Sequence, residues 1–83
     1  MYYVYLLRLK DQSYYTGITD DLKKRIQKHS KGDVLATKGK RPVTLIFYCA
    51  FPTKKQATDF ERYLKSGSGQ SFRNRHFVDR KPS

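Results

Sequence analysis

Tyr2-Tyr3-Val4-Tyr5-Leu6-Leu7-Arg8-Leu9-Lys10-Asp11-Gln12-Ser13-Tyr14-Tyr15-Thr16-Gly17-Ile18 decides how the rest of the chain is arranged. Its two apolar runs, Tyr2 to Leu7 and Tyr14 to Ile18, have the length and the β-branched and aromatic content of strands. The polar turn Lys10-Asp11-Gln12-Ser13 between them predicts a hairpin. Five of the seven tyrosines of the chain lie in this stretch. Each brings a rigid apolar body and one hydroxyl, suited either to a core or to a reaction centre.

Working outward, Thr19 to Gly32 reads as a helix. Thr19 or Asp20 is placed to cap it, Asp20 and Asp21 suit its positive end, and Gly32 supplies a left-handed stop. Leu22, Ile26 and His29 recur on one face, with Arg25 bordering it. Asp33 to Arg41 is a loop carrying Lys38, Lys40 and Arg41. Pro42 introduces Val43 to Phe51, apolar almost throughout, which predicts a strand covered on both faces. Thr53-Lys54-Lys55-Gln56 opens a second helix with a capping-box pattern. Ala57, Phe60 and Leu64 form its core stripe, and Lys65 to Gly69 ends it. The basic remainder has room for a short helix around Ser71 to Arg75. The fold class expected is α/β (α+β): a small three-stranded, mainly antiparallel sheet flanked by helices, in the order β-β-α-β-α-(α).

The chain has 83 residues, enough for one domain with a thin core. One cysteine, Cys49, excludes an internal disulfide and fits a reducing compartment. The N-terminal run is too short, and too interrupted by tyrosines, for a signal peptide. No run is long enough to span a bilayer. A soluble, cytoplasmic protein is expected. Eighteen Lys and Arg against seven acids give a net charge of +11. Such a charge favours a polyanionic partner, nucleic acid before a membrane surface, because no segment joins a basic face to a wide apolar one.

Among the acids, turn positions, helix N-termini and the tail account for most. Glu61, the sole glutamate, stands beside the apolar stripe of the second helix, where a carboxylate needs compensation. A salt bridge to a neighbouring cation is one outcome. A ligand for Mg²⁺, which keeps its waters and takes phosphate oxygens, is the other. Arg25 and His29 share a helix face at i and i+4. They suit phosphate contact and proton transfer, or simply a surface and a helix end. A free tyrosine is only about 0.1% phenolate at neutral pH, so Tyr5 or Tyr15 would need cations or a relay to act as a base. Gly17 allows another backbone or a phosphate to come close, or close packing of the helix.

Taken together, Tyr3-Val4-Tyr5, Tyr15-Thr16-Gly17, Asp21-Leu22-Lys23-Lys24-Arg25 with His29, and Glu61 in its helix resemble the GIY-YIG nuclease domain. The resemblance runs from Met1 to about Phe77, leaving 78–83 as a basic tail. It is nearest to small stand-alone bacterial members related to the N-terminal nuclease domain of the UvrC excision-repair protein. Tyr3 and Val4 replace Gly and Ile of the first motif, and Thr16 replaces Ile of the second. Ile18 stands where the repair domain has a lysine, and His29 is placed to substitute for it.

The resemblance implies Mg²⁺- or Mn²⁺-dependent hydrolysis of phosphodiester bonds, DNA being favoured over RNA. Glu61 would hold the metal and Arg25 a phosphate oxygen. Tyr5 would act as base, Tyr15 as positioner and His29 as proton relay. Gly17, Lys24, Lys38, Lys40, Arg41, Arg73, Asn74 and Arg75 are the expected nucleic-acid contacts. A lone domain of this size is expected to prefer structure in its substrate, or to depend on a larger protein partner for specificity. The rival readings are a basic module of the same fold that binds without cutting, and a fragment docking on acidic proteins.

This mechanism makes a demand on the hairpin. Residues facing each other across an antiparallel pair keep a constant index sum. An even-length turn makes that sum odd and puts Tyr5 and Tyr15 on opposite faces. An odd loop or a bulge makes it even and puts both on one face.

Overall fold

A computed structural model describes residues 1–67 of the chain. The short helix expected around Ser71, the contacts assigned to Arg73, Asn74 and Arg75, and the tail fall outside the described residues. Three strands, β1 (Tyr2–Arg8), β2 (Tyr14–Thr19) and β3 (Thr44–Phe51), form an antiparallel sheet in the order β2-β1-β3. Helix α1 (Leu22–Lys31) follows β2 and α2 (Lys54–Lys65) follows β3. A 3₁₀ turn, Lys38–Lys40, interrupts the loop between α1 and β3.

The hairpin loop is odd. Leu9 N–H donates to Ser13 O at 2.8 Å and Gln12 N–H to Leu9 O at 3.0 Å, while Gln12 takes a left-handed φ of 71°. This is a turn followed by a left-handed residue, the usual way to close a three-residue loop. The register that results pairs Tyr5 with Gly17 and Leu7 with Tyr15. Tyr5 and Tyr15 therefore lie on the same face, as the expected mechanism requires.

The two faces of the sheet carry separate cores. On one, Val4 packs with Ala57 and Leu64 of α2, joined by Tyr2, Ile18, Phe51 and Phe60. On the other, Tyr5, Leu7 and Leu9 pack with Tyr15, and with Leu22 and Ile26 of α1. Val4 to Leu7 are fully buried because β1 is the central strand, covered on both sides.

β3 is not covered on both faces, although its apolar run predicts it. β3 is an edge strand. Leu45 and Tyr48, on the α1 side, are 37% and 54% exposed. Helix α1 leaves that part of the sheet open, whereas Phe47 and Phe51 are covered by Phe60 of α2. An apolar run looks the same in sequence whether it lies in the middle of a sheet or on its edge.

The cap of α1 is also one residue later than expected. Asp21, not Thr19 or Asp20, accepts from Lys24 N–H at 3.1 Å, and Thr19 Oγ1 accepts from Asp21 N–H in the turn before it. Gly32 ends α1 with φ of 83°, its N–H donating back to His29 O. Thr53 caps α2 by accepting from Gln56 N–H at 3.2 Å.

Candidate active site

Tyr5 reaches its position because Gly17 has no side chain. A Cβ on residue 17 would stand 2.3 Å from both Cζ and the hydroxyl oxygen of Tyr5. The phenol thus lies over β2 at Gly17. What comes close to this glycine is the tyrosine of the neighbouring strand, so the space assigned in sequence to a phosphate or a helix is already filled. Gly17 shapes the site from beneath.

From α1, His29 and Arg25 converge on the phenol. Tyr5 Oη and His29 Nε2 are 2.9 Å apart, and Arg25 Nε donates to the same oxygen at a longer 3.4 Å. Tyr15 completes the group: its ring centroid is 5.1 Å from that of His29 and 6.3 Å from that of Tyr5. Tyr15 also lies near enough to Arg25 to favour its charged form. The i, i+4 spacing of Arg25 and His29 and the shared face of Tyr5 and Tyr15 bring four distant residues into one cluster.

Burial sets the protonation states. Burial pushes the Tyr5 phenol above its ordinary value, opposed by the hydrogen bond and charge of Arg25 and reinforced by the neighbouring Tyr15 and by the Glu61 charge. Burial and the nearby Arg25 cation hold His29 below the ordinary histidine value. The resting pair near neutral pH is accordingly a phenol and a neutral imidazole.

Glu61 is not bonded to this cluster. It sits on α2, the helix that covers the opposite face, with its side chain 18% exposed and 3.5 Å from Lys65 Nζ. Its carboxylate is close enough for Tyr5 to feel its charge. Among the described residues no group of three or more His, Cys, Asp or Glu gathers to form a metal cage.

The chain matches the model of the GIY-YIG catalytic domain over residues 1–75. The protein belongs to the GIY-YIG family. Its relatives include UPF0213 protein CPE1444 of Clostridium perfringens, 44% identical over 78% of this chain and 71% of that one. Another is UPF0213 protein YazA of Bacillus subtilis, 43% identical over 77% and 66%. Among solved structures, the solution NMR structure of UPF0213 protein BH0048 from Bacillus halodurans aligns with a TM-score of 0.55. That pair is 39% identical, covering 87% of this chain and 81% of that one. Membership of the GIY-YIG family supports a nuclease-like function, and with it nucleic-acid binding. No helix among the described residues is long and apolar enough to cross a membrane.

The basic residues expected at a GIY-YIG substrate surface have different fates. Lys24 lines a hollow of about 270 Å³ beside Arg25, together with Thr19, Asp20, Asp21 and Lys28. Lys28, which helical spacing places on solvent, thus joins the site. A larger hollow of about 580 Å³, between α1 and the open part of β3, contains none of the clustered residues. Lys38 is exposed. Lys40 pairs with Asp11 at 3.5 Å across the hairpin turn. Arg41 donates to Lys38 O at 3.1 Å and to Ser30 O at 3.4 Å, and its guanidinium packs over Gly32. It ties the end of α1 to the loop.

One member of the site carries no signal in sequence. Thr37, in the loop after α1, is fully buried with Oγ1 2.8 Å from His29 Nδ1. A threonine between Ala36 and Lys38 looks like any loop residue. Only the tertiary approach of the loop to α1 reveals it.

Proposed function

We propose that the protein is a divalent-metal-dependent endonuclease that hydrolyses phosphodiester bonds of DNA. The observation that carries this reading is the Tyr5 hydroxyl held between His29 Nε2 and Arg25 Nε, with Tyr15 against the same imidazole, in a chain of the GIY-YIG family. Tyr5 is the base. Tyr5 is fully buried in the free protein, so the step needs the cluster to open on binding substrate. Its phenolate then takes one proton from the attacking water while the water oxygen bonds phosphorus and the bond to the leaving oxygen breaks. The phenol then gives that proton to solvent, and the leaving oxyanion takes one from solvent to become the product hydroxyl. Tyr15, on the open side of the cluster, positions the water.

Arg25 spends Nε on Tyr5, which leaves its terminal nitrogens for a non-bridging phosphate oxygen. Lys24 and Lys28 flank it and suit the adjoining phosphates. A divalent cation near Tyr5 would offset the burial that keeps the phenol protonated at rest, against the opposing charge of the substrate phosphate.

Glu61 fits a Mg²⁺ or Mn²⁺ ion in the manner these ions favour, one carboxylate together with waters and phosphate oxygens. When bound, the ion would supply charge stabilisation to the scissile phosphate. The same carboxylate lies 3.5 Å from Lys65 Nζ. With a single small domain, the enzyme is expected to select DNA by structure, or to draw on a larger partner for specificity.

Glu61→Gln tests the reading. Cleavage of structured and single-stranded DNA with Mg²⁺ or Mn²⁺ should be lost, while binding is retained or strengthened because a negative charge is gone. A wild type that binds these substrates and cuts none of them, nor RNA, would point instead to a binding module on the same fold.

A further inference from the structure

Counted among the described residues alone, the buried chain Thr37–His29–Tyr5 holds one more proton than its own groups pair. All three residues are fully buried, with Thr37 Oγ1 2.8 Å from Nδ1 and Tyr5 Oη 2.9 Å from Nε2. Arg25 Nε donates to Tyr5 Oη from the side. Among the described residues neither hydroxyl has a further hydrogen-bond partner.

A neutral imidazole has one N–H and one bare nitrogen. If Nδ1 carries the proton, it donates to Thr37 and Tyr5 donates to Nε2. The Thr37 hydroxyl proton is then left without an acceptor. If Nε2 carries the proton, Thr37 donates to Nδ1, and both Nε2 and Arg25 donate to Tyr5. The proton left over is now that of Tyr5. A buried donor without a partner is costly, so each neutral arrangement carries a penalty. Removing the Tyr5 proton leaves every donor paired: Thr37 O–H to Nδ1, and His29 Nε2–H and Arg25 Nε–H to the phenolate.

We infer that Thr37 is a positioning residue for the base: its hydroxyl fixes His29 as the Nε2–H tautomer, and the imidazole holds the Tyr5 phenolate as a hydrogen-bond donor. His29 keeps its own proton throughout, and the surplus proton leaves from Tyr5. This replaces the relay expected from sequence with a chain of donors pointing one way. The inference rests on the nuclease reading for its use in catalysis, but the hydrogen-bond chain itself does not. The groups facing the Tyr5 oxygen are His29 and Arg25 of α1, Tyr15 of β2 and, through space, Glu61 of α2.

Long-range ¹H–¹⁵N correlation on labelled protein reads the His29 tautomer, and the ¹³Cζ shift of Tyr5 reads its ionisation. The wild type should show Nε2–H once Tyr5 is ionised. Thr37→Val, which keeps the shape and loses the hydroxyl, should lower the phenolate fraction at a given pH about tenfold. Thr37→Ser should restore it. An Nδ1–H tautomer beside the phenolate, or an unmoved Tyr5 midpoint in a folded Thr37→Val, overturns the inference. Should the valine variant not fold, the wild-type tautomer decides alone. None of these readouts requires cleavage. Nε2–H in a wild type that cuts nothing supports the donor chain while sinking the nuclease reading, and Nδ1–H in an active enzyme does the reverse.

Discussion

The Tyr5 phenol occupies the space that a side chain on Gly17 would fill. A β-carbon there meets the ring and the hydroxyl rather than the end of a flexible chain, so the tyrosine must move as a whole. Gly17→Ala is therefore expected to tear Tyr5 from His29. A stability loss of about 1–3 kcal/mol, typical of overpacking, should appear in urea unfolding, together with loss of cleavage. An alanine variant with wild-type activity would mean that the phenol need not lie over β2.

Tyr5→Phe and Tyr15→Phe separate the two tyrosines. The first leaves His29 Nε2 facing hydrocarbon in a buried site. It should cost about 1–3 kcal/mol in thermal or urea unfolding. Loss of the general base should also slow cleavage by about 10²–10⁴-fold. Tyr15 is only partly buried, so its phenylalanine variant should unfold within about 1 kcal/mol of wild type and lose less activity. The reverse ranking of the two rates would exchange their roles.

Acid should destabilise the fold through His29. Its folded pKa lies below the unfolded value of 6.5, because burial and Arg25 disfavour the cation. Between those two values the unfolded chain binds more protons than the native one, and stability rises with pH. The contribution is complete above 6.5, is lost as pH falls toward the folded value, and changes no further below it. Urea unfolding from about pH 5 to about pH 8 should show this slope in wild type and lose it in His29→Gln. Parallel curves would place the acid sensitivity elsewhere.

Lys24 and Arg41 should behave differently although the sequence marks both as nucleic-acid contacts. Lys24→Ala removes a charge from the hollow beside Arg25, and the salt slope of duplex binding should fall by about 0.9. Arg41 is engaged by two backbone carbonyls. Arg41→Ala should leave the slope near its wild-type value and lower the melting temperature instead. Fluorescence anisotropy across a salt series, beside a thermal melt, distinguishes the two.

Much of this was legible in the chain. Strand composition, the glycine at position 32 and the capping threonine at 53 located the elements, because each depends on local backbone physics. Arg25 and His29 were legible because helical periodicity puts them on the face of Leu22 and Ile26. Thr37 was not, since a loop threonine acquires its role only when the chain folds back on α1. The exposure of Leu45 and Tyr48 was not either, because strand order is a long-range property. The part played by Gly17 was half visible: the close approach was expected, but the approaching group was not.

The hairpin loop, with Gln12 in its left-handed conformation, joins β1 to β2 and supplies none of the clustered side chains. Its length nonetheless decides whether Tyr15 joins Tyr5 or turns toward α2. Adding or deleting a single residue between Leu9 and Ser13 would invert one strand relative to the other, while changing the loop by two would preserve the facing pair. This surface turn should therefore accept length changes only in steps of two, a constraint on insertion that neither its exposure nor its polar composition would suggest.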